Sequence, residues 1–68
     1  MHTMTLLDDL TFTPERIRAL MVAGGYSYTT LARAAGVSRR LVCMWTARER
    51  KPGLRTAARL LELEQETQ

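Results

Sequence analysis

The stretch 28–45, YTTLARAAGVSRRLVCMW, constrains the fold more than any other part of the chain. Leu31, Ala32, Ala35, Val37, Val42 and Trp45 form an apolar skeleton, punctuated by Gly36 and Ser38. Small alanines let two helices approach closely, a glycine supplies the turn that ends the first, and a serine can cap the second. The pattern predicts two short helices meeting at a steep angle, with Val37 plugging the corner between them. The first is expected over 28–34 with Ser27 as its cap, and the second over 38–47 with Ser38 as its cap. Winding the second at ~100° per residue puts Leu41, Val42 and Trp45 on one arc. Arg39, Arg40, Cys43, Met44 and Ala47 then fall on the opposite side.

The flanking segments supply two more helices. Thr13-Pro14-Glu15 combines a capping threonine, a proline at the first helical position and an acid in the first turn. Phe12 and Ile17 stand at the spacing of a hydrophobic staple. From there Ile17, Leu20, Met21 and Ala23 make an inward stripe with Arg16 and Arg18 outward, until Gly24-Gly25 ends the helix. Pro52-Gly53 breaks the chain before a last helix over 54–64. Its core stripe reads as Leu54, Ala57, Ala58 and Leu61, opposite the charged Arg55, Arg59, Glu62 and Glu66. Leu60 and Leu63 fit neither stripe, and a second apolar stripe of this kind suits contact with another chain. Residues 1–12 are expected as an arm or short helix whose Leu6, Leu7 and Leu10 need a partner, and residues 65–68 as a frayed tail. The whole reads as one all-α domain over 1–68, a compact bundle of four to five short helices.

Sixty-eight residues can bury only a modest core. Charge is unevenly spread: residues 33–59 carry eight arginines and lysines against Glu49 alone, a local excess of seven positive charges that fits a polyanion. Cys43 is the sole cysteine and His2 the sole histidine, which excludes an intrachain disulfide and a four-ligand zinc site. No metal or cofactor is expected. Without a ~20-residue apolar run or a signal-peptide pattern, the chain is expected in the cytoplasm and away from membranes. There is no carboxylate pair, Ser-His combination or glycine-rich phosphate loop, so the chain does not read as an enzyme.

Leu31, Ala32, Gly36, Val37, Ser38, Val42, Trp45 and Pro52 together carry a family resemblance. Over about residues 13–63 the chain resembles the helix-turn-helix regulators of the phage repressor and Cro family. Tyr28 stands where that family usually has glutamine, and Arg48 where it often has glycine, so that the second motif helix either runs on or is capped differently. The resemblance implies a lambda repressor-like bundle whose second motif helix enters the major groove. The implied function is a sequence-specific regulator of double-stranded DNA, of phage or prokaryotic type. With no room for a second functional domain, a repressor is expected over an activator. A lone reader of this size makes few contacts, so a homodimer on an inverted repeat is expected, with half-sites about one turn (~34 Å) apart.

On this reading Arg39, Arg40, Met44 and Cys43 contact bases, since arginine forms two parallel bonds to guanine and a soft side chain packs on a thymine methyl. Tyr28, Arg33, Ser38, Arg48, Arg50 and Lys51 contact phosphates, and Leu60 and Leu63 form the dimer surface. Other readings stand beside these. Tyr28 equally suits plain packing, and Cys43 suits half-buried packing or redox sensing. The competing function is an antitoxin-like or adaptor protein that holds a protein partner through Leu6, Leu7 and Leu10.

Overall fold

The computed structural model describes residues 10–67, which form four helices: α1 (Pro14–Gly24), α2 (Tyr28–Ala35), α3 (Arg39–Thr46) and α4 (Leu54–Glu66). The fold is an all-α bundle, with no strand among the described residues. Expectations for residues 1–9, including Leu6 and Leu7, and for Gln68 lie outside the described residues. Three of the four starts are fixed by side-chain caps. Thr13 Oγ1 accepts from the Arg16 amide at 3.1 Å, and Phe12 and Ile17 are both buried, as a hydrophobic staple requires. Ser27 and Thr30 form a reciprocal capping box, with Thr30 Oγ1 taking the Ser27 amide at 2.7 Å. Ser38 Oγ accepts from the Leu41 amide at 3.2 Å. These caps occupy amide groups that the first turn of a helix leaves without partners.

The helix ends follow one pattern. In α1, α2 and α3 the chain closes with paired backbone bonds, from Tyr26 to Met21, from Val37 to Ala32 and from Glu49 to Met44, each accompanied by a bond from the preceding residue to the carbonyl three positions before it. This is the Schellman arrangement, which needs a left-handed residue at its hinge. Gly25 (φ 68°) and Gly36 (φ 74°) supply it for α1 and α2. For α3 the hinge is Arg48 at φ 64°, so α3 stops at Thr46 and is capped as if a glycine were present. Gly24 is needed for space: a Cβ there would lie 2.5 Å from the Tyr26 ring.

Helix α3 packs against α2 and α1, and α4 packs across α2 and α1. The core they enclose is Phe12, Ile17, Leu20, Leu31, Ala32, Val42, Trp45, Ala57, Leu60 and Leu63, with Leu10, Val37 and Leu41 packed at its margin. Ala23 is exposed, so the inward stripe of α1 ends at Met21. On α4 the two candidate stripes exchange roles. Ala57, Leu60 and Leu63 face inward, whereas Leu54 is 65% exposed, Ala58 is exposed and Leu61 is half-buried. Leu60 and Leu63 are therefore core residues of the single chain and not a dimer surface. Gln65 and Glu66 are helical, two residues beyond the expected end. The last turn is held by Glu64, whose carboxylate takes Arg16 Nε at 2.9 Å and Nη2 at 2.7 Å. Arg16 also lies 3.8 Å from the centroid of the Phe12 ring, so it ties both ends of the described chain together.

Two substitutions check this architecture. Leu60→Ala should lower unfolding free energy by roughly 2–5 kcal/mol in denaturant titrations, and a core position requires that loss to be independent of protein concentration. Arg48→Gly should raise stability by about 1 kcal/mol, or several degrees in thermal midpoint, because the left-handed backbone is strained for a residue with a Cβ. Its ion pair with Glu15 is exposed and offsets little of that gain.

Candidate nucleic-acid interface

The bundle turns one face of α3 outward. Val42 and Trp45 are buried in the core, leaving Arg39, Arg40 and Ala47 exposed on the other side. Cys43 and Met44, which the helical wheel puts on this face with the arginines, are half-buried and flank it. Along the axis, Cys43 follows Arg39 and Met44 follows Arg40 at the spacing of one helical turn, which gives two short rows, each with a cation at its amino-terminal end.

Arg39 and Arg40 make no hydrogen bond or ion pair among the described residues, and the first turn of α3 holds no acidic side chain. Both guanidinium groups sit at the positive end of the helix dipole, where a cation is mildly unfavourable. Arg33, in the last turn of α2, and Arg50 and Lys51, beyond α3, are also exposed cations without a partner among the described residues. Ser38 caps α3 and remains exposed. Tyr28, the first residue of α2, borders an open cleft with Arg18, Met21, Val22, Gly25 and Tyr26. Arg48, Arg50 and Lys51 border a second cleft, about 390 Å³ in volume, against the segment 10–14 and against Pro52 and Leu54.

Not every cation is free. Arg48 pairs with Glu15 across the surface, so it would have to exchange that carboxylate for a phosphate. Arg18 reaches from α1 to the Thr46 carbonyl, and Arg59 from α4 to the Ala34 carbonyl at 3.0 Å while pairing with Glu62. Sequence reading placed Arg18 and Arg59 simply outward. A carbonyl acceptor leaves no mark in the sequence, and only the packing of the helices brings donor and acceptor together. Among the described residues, no three His, Cys, Asp or Glu side chains converge as metal ligands, and no helix is long and apolar enough to cross a membrane.

Comparison with known families gives one finding. A family model described as Helix-turn-helix matches residues 17–63, from the second turn of α1 to near the end of α4. No curated protein and no solved structure matches the chain.

The unfavourable placement of cations at the start of α3 can be measured directly. Arg39→Glu should stabilise the fold by roughly 0.3–1 kcal/mol at low ionic strength. Thermal unfolding with added salt should remove most of that increment, since an exposed charge is screened.

Proposed function

The chain belongs to the Cro/C1-type helix-turn-helix family of DNA-binding transcription regulators, and on that premise we propose that it is a repressor that reads an inverted-repeat operator as a homodimer. The observation that carries this reading is the outer face of α3, where Arg39 and Arg40 are exposed and unpaired among the described residues while the inner face is locked into the core. In the major groove these two arginines contact bases, with Met44 and Cys43 packing beside them from the flanks of the helix. A guanidinium group meets guanine through two parallel bonds, which discriminates by about 1–3 kcal/mol against a wrong base.

Phosphate contacts fix the register on either side. Ser38 and the α3 amino terminus face the backbone, together with Tyr28 at the start of α2, Arg33, and the run Arg48, Arg50 and Lys51 after α3. The tyrosine hydroxyl takes the place of the glutamine amide usual in the family. It has no partner among the described residues and keeps one donor for a phosphate oxygen. Occupying a promoter site in this way blocks it without a further functional surface. One copy reads few base pairs, and two copies related by a two-fold axis double the contacts. Leu60 and Leu63 are unavailable to such a partner, and Leu54, at the exposed start of α4, is the aliphatic side chain we assign to it.

Binding should weaken steeply with salt, because phosphates neutralised by cations release counterions. A duplex selected from random sequence, titrated by fluorescence anisotropy across a salt series, should give a log–log slope that reflects several phosphate contacts. In the same titration Arg40→Ala should cost about 1–3 kcal/mol on the selected duplex. A flat salt dependence, or unchanged affinity for Arg40→Ala, would overturn the reading.

A further inference from the structure

The far end of α3 is held by an interaction that comes from another helix. A helix leaves its last four carbonyls without helical partners, which in α3 are those of Cys43, Met44, Trp45 and Thr46. Three are satisfied by the chain that follows. The Cys43 carbonyl accepts from the Ala47 amide at 3.0 Å and from Thr46 Oγ1 at 2.9 Å. The Met44 carbonyl accepts from the Glu49 amide at 2.9 Å, and the Trp45 carbonyl from the Arg48 amide at 3.3 Å. Among the described residues the Thr46 carbonyl has a single donor, Nη2 of Arg18 on α1. Thr46 is only 6% exposed, which leaves water little access to replace that donor. The guanidinium charge also lies at the negative end of the α3 dipole, where a cation is favourable.

We propose that Arg18 is a specificity-determining positioning residue: by holding the Thr46 carbonyl it fixes the tilt of α3 in the groove without touching DNA. This inference rests on the DNA-reading role proposed above. Helix α3 has eight residues and is about 12 Å long. Ser38 and the Gly36 turn hold its near end and Trp45 packs its far end into the core, while the Arg18 bond is the directional tie between that far end and α1 that limits the remaining play in tilt. A small swing leaves phosphate contacts largely intact, because flexible side chains follow an oxygen in many geometries. Paired bonds to a base edge do not tolerate it. Losing the tie should therefore reduce discrimination between sequences more than it reduces attraction to DNA as such.

The test compares affinities for the selected duplex and for a scrambled duplex at one salt concentration. Arg18→Met keeps the aliphatic stem and removes the donor, Arg18→Lys keeps both charge and a donor, and Arg55→Ala removes one unrelated exposed charge. Circular dichroism establishes that each variant is helical. Arg18→Met should lower the ratio of the two affinities about tenfold, with scrambled-duplex binding matching that of Arg55→Ala. Arg18→Lys should restore the ratio to within about threefold of the unmodified chain. An unchanged ratio in Arg18→Met, or an equal fall on both duplexes, would overturn the proposal while leaving the DNA-reading role intact. If the unmodified chain itself fails to prefer the selected duplex, both proposals fall together.

Discussion

Everything else in the molecule depends on the burial of one side of α3. Val42 and Trp45 are packed away from solvent among side chains drawn from all three other helices. Two large apolar groups on an eight-residue helix leave it one orientation in which they are dry. A helix this short is not stable alone, and its rigidity is borrowed from the core. The outward face is then determined geometrically, and the exposure of Arg39 and Arg40 follows from that placement.

Arginine serves two separate purposes in this chain. Arg16, Arg18 and Arg59 face protein acceptors: a carboxylate and two helix-terminal carbonyls on different elements. Each spans elements distant in sequence, so these three behave as cross-links of the bundle. Arg33, Arg39, Arg40 and Arg50 are exposed and have no protein acceptor among the described residues. Arg48 stands between the groups, paired with Glu15 while occupying a backbone conformation that favours glycine. A glycine at that hinge would relieve the backbone and remove a cation from the α3–α4 loop, and the chain keeps the cation.

Much of the fold was legible from residue order because the signals were local. Thr13, Ser27 and Ser38 cap within three residues of themselves, and Gly25 and Gly36 mark left-handed turns, so helix starts and ends could be read directly. The orientation of α4 was not legible. Leu54, Ala57, Ala58 and Leu61 are as apolar as Ala57, Leu60 and Leu63, and hydropathy alone cannot say which set meets a core made by α1 and α2. In the first turn of α4 Leu54 is exposed, and the inward stripe begins at Ala57. The half-burial of Met44 was missed, and that of Cys43 stood only as one of its open readings, for a related reason: a helical wheel assigns faces but not the width of the groove formed by neighbouring helices. Arg18 and Arg59 were missed because their acceptors are backbone atoms.

Trp45 is the sole tryptophan of the chain, and its indole lies on the hidden side of the helix whose other side faces solvent. Its Nε1–H is buried with no acceptor among the described residues. An indole in so dry a setting emits toward the blue and is shielded from aqueous quenchers, so the chain carries its own optical gauge of how tightly α3 is seated. Any event that lifts this helix from its bed would expose the indole and shift its emission to the red.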